Sequence, residues 1–291
     1  MIPPRPIRLA AAAYPVERLP DRSALAGKLA DWAARAADAD VLVFPEYAGM
    51  EAALAGGPAT ASVAEWCGHA AEAADWYVST LRALAVRHGC YILAGSLPAQ
   101  APQGLVNRAF FLSPDGAVAH QDKHILTPWE RRETPLCAGD GLHAFDTRLG
   151  RIGVLICYDC EFPLHARALG ADILLVPSCT DLPAGDARVR AGARARALEG
   201  QAIAVHAPIL GAVEGCELVD QNRGRAGIYA PPDHGFPADG VLARGAMDTS
   251  GWVFADLEAG AISAPRSRAA VNVPGHWNES ATAAPPVSVT F

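Results

Sequence analysis

The chain has 291 residues, is 51% hydrophobic and 19% charged, and carries a net charge of −7. That is length for one large α/β domain or two smaller ones, and too apolar for a disordered chain. The acidic balance, with no basic stripe interleaved with aromatics, argues against nucleic acid as a partner, and no apolar run reaches the roughly 18 residues of a membrane span.

Met1 to Ala13 sets two arginines before a short apolar run, a loose imitation of a signal peptide. The run is short, flanked by prolines and continues into Tyr14-Pro15, so a first strand over Ile7–Tyr14 is expected instead. Ser23 caps a helix to about Ala37, with Leu25, Leu29, Trp32 and Ala36 at helical spacing. Val41–Phe44 reads as a short buried strand ended by Pro45-Glu46-Tyr47, followed by a helix from about His69 to His88 and a strand over Tyr91–Ser96. Leu105–Leu112 and Ala117–Lys123 form a hairpin around Ser113-Pro-Asp-Gly116. His124 to Glu133 is a loop with unusual chemistry. Strands follow at Leu142–Phe145, Ile152–Ile156 and Ile173–Pro177, with Pro163–Leu169 a helix start and a second helix running from Asp186 to about Glu199. Ala202–Ala207, Ala226–Ala230, Val241–Arg244 and Trp252–Asp256 complete the strands. With strands enough for two sheets and helices between some of them, a layered α/β sandwich in one domain, 1–268, is expected, followed by a tail over 269–291.

Seven cysteines at scattered positions (67, 90, 137, 157, 160, 179 and 216) do not read as a disulfide framework, and reduced thiols in a cytoplasmic setting are expected. Three apolar strands end in reactive groups: Glu46, Lys123 and Cys157. Taken singly, Glu46 could be a solvated loop carboxylate, Lys123 a surface lysine and Cys157 a buried structural thiol. Together they make a set for acyl transfer: a carboxylate that takes the thiol proton and later activates water, an ammonium for the oxyanion, and a thiolate nucleophile.

Three stretches resemble the signatures of the nitrilase superfamily, the carbon–nitrogen hydrolases. They are Phe44-Pro45-Glu46, Asp122-Lys123-His-Ile-Leu126-Thr-Pro128, and Gly153-Val-Leu-Ile-Cys157-Tyr158-Asp159-x-x-Phe162-Pro163. The resemblance runs from about Ile7 to Arg266 and implies a four-layer αββα sandwich, a homodimer or higher homo-oligomer, and hydrolysis of non-peptide C–N bonds without cofactor or metal. It implies Glu46 as general base, Lys123 as oxyanion stabiliser, Cys157 as nucleophile and the Tyr158 backbone N–H as second oxyanion donor. A further substrate-positioning glutamate would be Glu130, with Glu133 the alternative. The Trp129–Glu133 loop resembles a branch some of whose members carry a fused acetyltransferase domain, which is not expected here. Cys-Tyr-Asp is similar to the amidase and carbamoylase branches, where true nitrilases show Trp-Glu, so a small amide-type substrate is expected rather than a nitrile. The chain departs from many relatives at Glu161, Leu164 and Gly200, near the pocket or its supporting helix.

Rival readings are weaker. Cys157-x-x-Cys160 could be a redox pair or half a zinc site, but no second pair follows, and His165 and Cys179 do not supply one. His120 and His124 are four apart across a strand end rather than on one helix face. A catalytically silent binding protein would have no need of all three reactive residues, and acyl transfer to an amine would use the same triad.

Overall fold

In the computed structural model, residues 6–258, 260–262, 269–282 and 288–290 are described. Thirteen strands follow in chain order: β1 (Ile7–Pro15), β2 (Val41–Val43), β3 (Tyr91–Ala101), β4 (Gly104–Leu112), β5 (Val118–Asp122), β6 (Leu136–Cys137), β7 (Ala144–Thr147), β8 (Gly150–Val154), β9 (Ile173–Ser178), β10 (Ile203–Leu210), β11 (Gly227–Tyr229), β12 (Val241–Arg244) and β13 (Gly251–Leu257). The helices are α1 (Arg22–Ala34), α2 (Glu51–Leu54), α3 (Val63–His88), α4 (Pro128–Glu133), α5 (Pro163–Leu169) and α6 (Pro183–Gly200), with a further short helix at Trp277–Ala281.

The strands form two sheets. One runs β5-β4-β3-β2-β1 with β13 beyond β1 and β6 against β4; the other runs β10-β9-β8-β7 with β11 and β12 beyond β10. Among the described residues they pair strand to strand where Tyr14 and Pro15 at the end of β1 run parallel to Ile209 and Leu210 at the end of β10. Period-2 alternation sorts the side chains into layers. Leu9, Ala11, Val41, Val43 and Leu93 face Ile152, Ile173, Leu175 and Val205 across the middle of the sandwich. The alternate residues Ala10, Ala12, Tyr14, Leu42 and Ile92 face Leu25, Leu29 and Trp32 of α1 and Tyr77 and Leu81 of α3. On the far side, Leu174 and Val176 share a cluster with Val189, Ala193 and Ala197 of α6. The order helix, sheet, sheet, helix is the expected αββα sandwich.

Four consecutive alanines in β1 are filled over by large neighbours rather than left as voids. Tyr14 meets Trp32 at 4.9 Å and Phe44 at 5.5 Å between ring centroids, and Phe44 meets Trp252 at 5.4 Å, edge to face. The same alanines lie inside a strand paired with β13 from Ile7 to Ala13, which places them in the sheet.

Several element boundaries move. Asp21, not Ser23, caps α1: its side chain accepts from the Ala24 N–H at 2.9 Å, and Ser23 falls inside the first turn. The long helix α3 starts at Val63, not at His69, because Ser62 and Glu65 close a capping box there. β3 runs on to Ala101, and α6 begins at Pro183. The proposed boundary at 268/269 falls outside the described residues; beyond it, the Val271 carbonyl accepts from Gln201 Nε2 at 2.7 Å and Trp277 packs under the Arg167 guanidinium.

β3 carries an irregularity between Leu93 and Ser96, beside the end of β2. Gly95 sits there at φ 71°, and a Cβ on it would stand 2.1 Å from the Pro45 carbonyl oxygen. Gly95→Ala is therefore expected to cost about 1–3 kcal/mol from the backbone alone, and to push the Pro45-Glu46 turn aside. Urea denaturation should show the lower midpoint at unchanged slope; wild-type stability would remove this constraint on the turn.

Candidate active site

The first functional side chain enters where β2 ends. The turn after Phe44-Pro45 is made by Tyr47, held at φ 59° with its N–H donating to Ser96 Oγ at 3.1 Å. Glu46, 1% exposed, accepts at Oε1 from Lys123 Nζ (2.8 Å) and Asn107 Nδ2 (2.9 Å) and at Oε2 from the Cys179 N–H (2.8 Å).

Lys123 follows β5. Its N–H donates to the Asn107 carbonyl and its own carbonyl accepts from the Gly139 N–H, each at 2.8 Å. Its ammonium also donates to Glu130 at 2.8 Å. The expected loop after Lys123 contains a helical turn, α4, because Thr127 and Glu130 form a capping box: Glu130 Oε2 accepts from the Thr127 N–H (2.8 Å) and hydroxyl (2.9 Å). That fixes Glu130 with Oε1 free for Lys123 and for the Tyr47 hydroxyl at 2.8 Å. Glu133, the alternative to Glu130, does not reach the site; it is exposed on α4 and pairs loosely with Arg132 at 3.7 Å.

Cys157 opens a 3-10 turn, Cys157–Glu161, just past β8. It stands at φ 49° and is 5% exposed, with Sγ 3.6 Å from the Cys179 carbonyl oxygen. Tyr158 follows it and lines the same cavity. Cys160 does not: it is fully buried, its Sγ 3.5 Å from the Val189 carbonyl on α6. His120 and His124 each contact a different histidine, His143 and His165. Among the described residues no cluster of three or more His, Cys, Asp or Glu side chains could hold a metal ion.

The electrostatics follow from burial. Desolvation pushes the Glu46 carboxyl above its ordinary value, against the pull of Lys123. Burial acts the same way on Glu130, but there Lys123 and the Thr127 and Tyr47 donors win and hold it low. Burial would lower the Lys123 ammonium; Glu130 and Glu46 outweigh it and hold it well above its ordinary value. Burial, then the Glu46 charge, pushes the Cys157 thiol far up, so the resting group is a thiol. The result is a basic carboxylate, a permanent cation and a protonated thiol around one cavity of about 680 Å3. Its lining includes Glu46, Lys123, Glu130, Cys157, Trp129 and Cys179, and its mouth carries Glu161, Asp181, Glu217 and Asp220 against Arg188. A more open groove of about 870 Å3 along α1 contains no thiol.

Neither Asn107, in the interior of β4, nor Tyr47 is marked by its sequence context as part of a site. Cys179 could have been found, since it follows the apolar strand Ile173–Ser178 as Cys157 follows β8.

A family model described as carbon-nitrogen hydrolase matches residues 8–223. The chain is similar to the probable hydrolase YhcX of Bacillus subtilis, 36% identical over 171 residues that cover 58% of this chain and 33% of that protein. It is also similar to omega-amidase NIT2-A of Xenopus laevis, 32% identical over 125 residues, 39% of this chain and 45% of that one. The chain thus spans a third to a half of the length of these curated relatives. Among solved structures, Saccharomyces cerevisiae Nit3, described as a member of branch 10 of the nitrilase superfamily, superposes with a TM-score of 0.69 at 21% identity, covering 90% of this chain and 94% of that one. An amidase from Nesterenkonia sp. gives 0.67 at 24%, covering 91% and 95%. At these identities the two structures show a common fold.

Lys123→Met should expose the balance of the buried charges. Removing one member of a buried pair costs about 3–5 kcal/mol. Glu46 and Glu130 would then titrate above the ordinary value of 4.5 in the folded state, so the folded chain holds protons that the unfolded chain has released. The deficit against wild type is therefore smallest near pH 5 and grows as pH rises. Denaturation at pH 5 and pH 8 measures it, and a deficit no larger at pH 8 would contradict the buried-charge reading.

Proposed function

The chain belongs to the carbon–nitrogen hydrolases of the nitrilase superfamily, enzymes that hydrolyse C–N bonds, and on that premise we propose that it is a cysteine-dependent amidase acting on small amide or N-carbamoyl substrates. The observation that carries the reading is the delivery of Glu46, Lys123 and Cys157 from three separate strand ends to one cavity, with the Lys123 ammonium 2.8 Å from the Glu46 carboxylate.

The chemistry follows from their ionisation. Because the resting Cys157 is a thiol, a base must take its proton as it attacks, and Glu46, made more basic by burial, is that base. The sulfur bonds to the amide carbon, and the oxyanion that forms is met by the Lys123 ammonium and the Tyr158 backbone N–H. Glu46 returns the proton to the nitrogen, the C–N bond breaks, and ammonia or an amine leaves a thioester on Cys157. Water, deprotonated by Glu46, adds to the thioester carbon, and collapse releases the acid and restores the thiol. Glu130 keeps Lys123 charged and fixed, and with Trp129 it borders the space for the acyl group.

Relatives support the amide class. Xenopus laevis NIT2-A is an omega-amidase and a Yersinia enterocolitica relative is a deaminated glutathione amidase. In a Nesterenkonia amidase variant, the acetamide moiety of fluoroacetamide is bound covalently to the active-site cysteine. The proposal extends to a cytoplasmic homodimer: all seven thiols are free, and Leu164 on α5 and Leu198 on α6 are 69% and 45% exposed, apolar surface for a second copy.

Ammonia release from a panel of neutral, anionic and cationic primary amides, N-carbamoyl compounds and nitriles tests the activity. Cys157→Ala should fold and release none, and Glu46→Gln should lose roughly 10²–10⁴-fold in kcat. Intact-mass spectrometry of wild type during turnover should catch an acyl adduct on Cys157. Full activity in the alanine variant, or an adduct on Cys160, would overturn the assignment. Sedimentation should return twice the chain mass, falling to one chain mass in Leu164→Glu/Leu198→Glu if these leucines lie in the contact.

A further inference from the structure

We infer that Asp159 is a positioning residue of this site: its carboxylate fastens the loop that carries Lys123 to the turn that carries Cys157, so that ammonium and thiol share one geometry. The inference rests on the amidase reading above.

Asp159 lies two residues past Cys157 in the same 3-10 turn and is 1% exposed. Oδ2 accepts from the His124 N–H at 3.1 Å and Oδ1 from the Ile125 N–H at 2.8 Å, the two residues directly after Lys123. The other backbone partners of Lys123, Asn107 and Gly139, lie in β4 and in the segment just past β6, on the side of the first sheet. Asp159 comes from the second sheet, on the turn that continues β8. No other described hydrogen bond links residues 123–127 to residues 157–161. The ammonium is thus set against the thiol by one side chain that bridges the two halves of the sandwich.

A carboxylate suits the task because it offers two diverging acceptors to two successive donors. An asparagine offers one acceptor and turns a donor toward the second N–H. Loss of the tie would not open the core, but a shift of order 1 Å between reacting groups can cost roughly 100-fold in rate.

The surroundings give the tie a pH dependence. Burial pushes the Asp159 carboxyl up to about 6, against the Ile125 and His124 N–H groups and the Lys123 and His124 charges that favour its ionised form. His165 on α5 brings Nδ1 to 4.0 Å from Oδ1, and burial, then His124, lower its own pKa and so weaken it as a cationic partner of Asp159. Below about pH 6 Asp159 takes a proton, and one acceptor is lost. Activity should then fall as pH drops through that point. Stability responds in the opposite sense: a carboxyl whose pKa is raised on folding binds its proton more tightly in the native state, so its contribution to stability declines as pH rises toward 6. A merely structural Asp159 would move activity and stability together.

Asp159→Asn is the test, with kcat, KM and Tm measured from pH 5 to pH 8. The expected result is a folded enzyme with kcat lower by roughly 10–100-fold, KM changed little, and no inflection of kcat/KM near pH 6. Wild-type kcat, an unchanged inflection, or a loss that merely tracks a fallen Tm would overturn the inference. If wild type hydrolyses no compound of the panel, the amidase reading fails, and alkylation of Cys157 by iodoacetamide, followed by intact mass, decides this point alone. Alkylation roughly tenfold slower in the variant supports the tie, and equal rates across pH overturn it. Should Asp159→Asn not fold, Asp159→Ser, which keeps one acceptor, is measured in its place with the same two outcomes.

Discussion

A single ammonium buried between two carboxylates organises this molecule. Lys123 is 1% exposed and touches Glu46 and Glu130, themselves 1% and 3% exposed. Burying three charges is costly, and Coulomb attraction alone does not cover that cost unless the remaining lone pairs are also satisfied. Here they are: Asn107 and the Cys179 N–H serve Glu46, while Tyr47 and Thr127 serve Glu130. The group carries one net negative charge, and that surplus has a consequence. Glu130, with the richer set of donors, is held low, and the burden of desolvation falls on Glu46. One of two similar carboxyls is thereby made the more basic and the other a fixed counter-ion, by environment alone.

The sandwich makes this arrangement possible because its two face-to-face sheets are also joined edge to edge by a strand pair. β1 and β10 join at Tyr14–Pro15 and Ile209–Leu210, and the carboxyl ends of the neighbouring parallel strands open toward one another nearby. β2 delivers Glu46, β9 delivers Cys179 and β8 delivers Cys157, so groups from both sheets reach one cavity without a long loop between them. This is the placement of chemistry at strand carboxyl ends found in open α/β sheets, doubled by having two sheets face to face. The Cys179 N–H on Glu46 and the Asp159 carboxylate on the lysine loop are two of the hydrogen bonds that join the halves, and both lie beside the cavity.

Much of this is legible in the sequence because strand ends in a two-sided core are written in plain terms. An apolar run that stops at a Glu, Lys or Cys marks both the strand and the group it presents, and Val41–Phe44 before Glu46 and Gly153–Ile156 before Cys157 are of that kind. What escapes is what depends on pairing. Asn107 sits in the interior of β4, where only its register against β3 and the approach of Glu46 give it a role. The helical turn α4 looks like a loop because its capping box, Thr127 with Glu130, is also the site's own glutamate, and the sequence does not say which task comes first. Ser23 was the nearer cap by type, yet Asp21 holds the extended backbone that a cap requires.

Two side chains at the site, Tyr47 at φ 59° and Cys157 at φ 49°, occupy the left-handed region that non-glycine residues avoid. Each such residue costs about 1–2 kcal/mol. Glycine would remove the strain at both and would remove the function of both, since the Tyr47 hydroxyl holds Glu130 and Cys157 carries the thiol. The strain is therefore borne at the two turns where the backbone leaves a sheet and must present a particular side chain at once. At the first turn it is held by the Ser96 hydroxyl on the Tyr47 N–H and by the close approach of Gly95 to Pro45. At the second it is held by the carboxylate of Asp159 two residues on. Each strained turn thus has its restraint beside it, so the Cys157 thiol and the Glu46 carboxylate are set in place around one cavity before any ligand enters it.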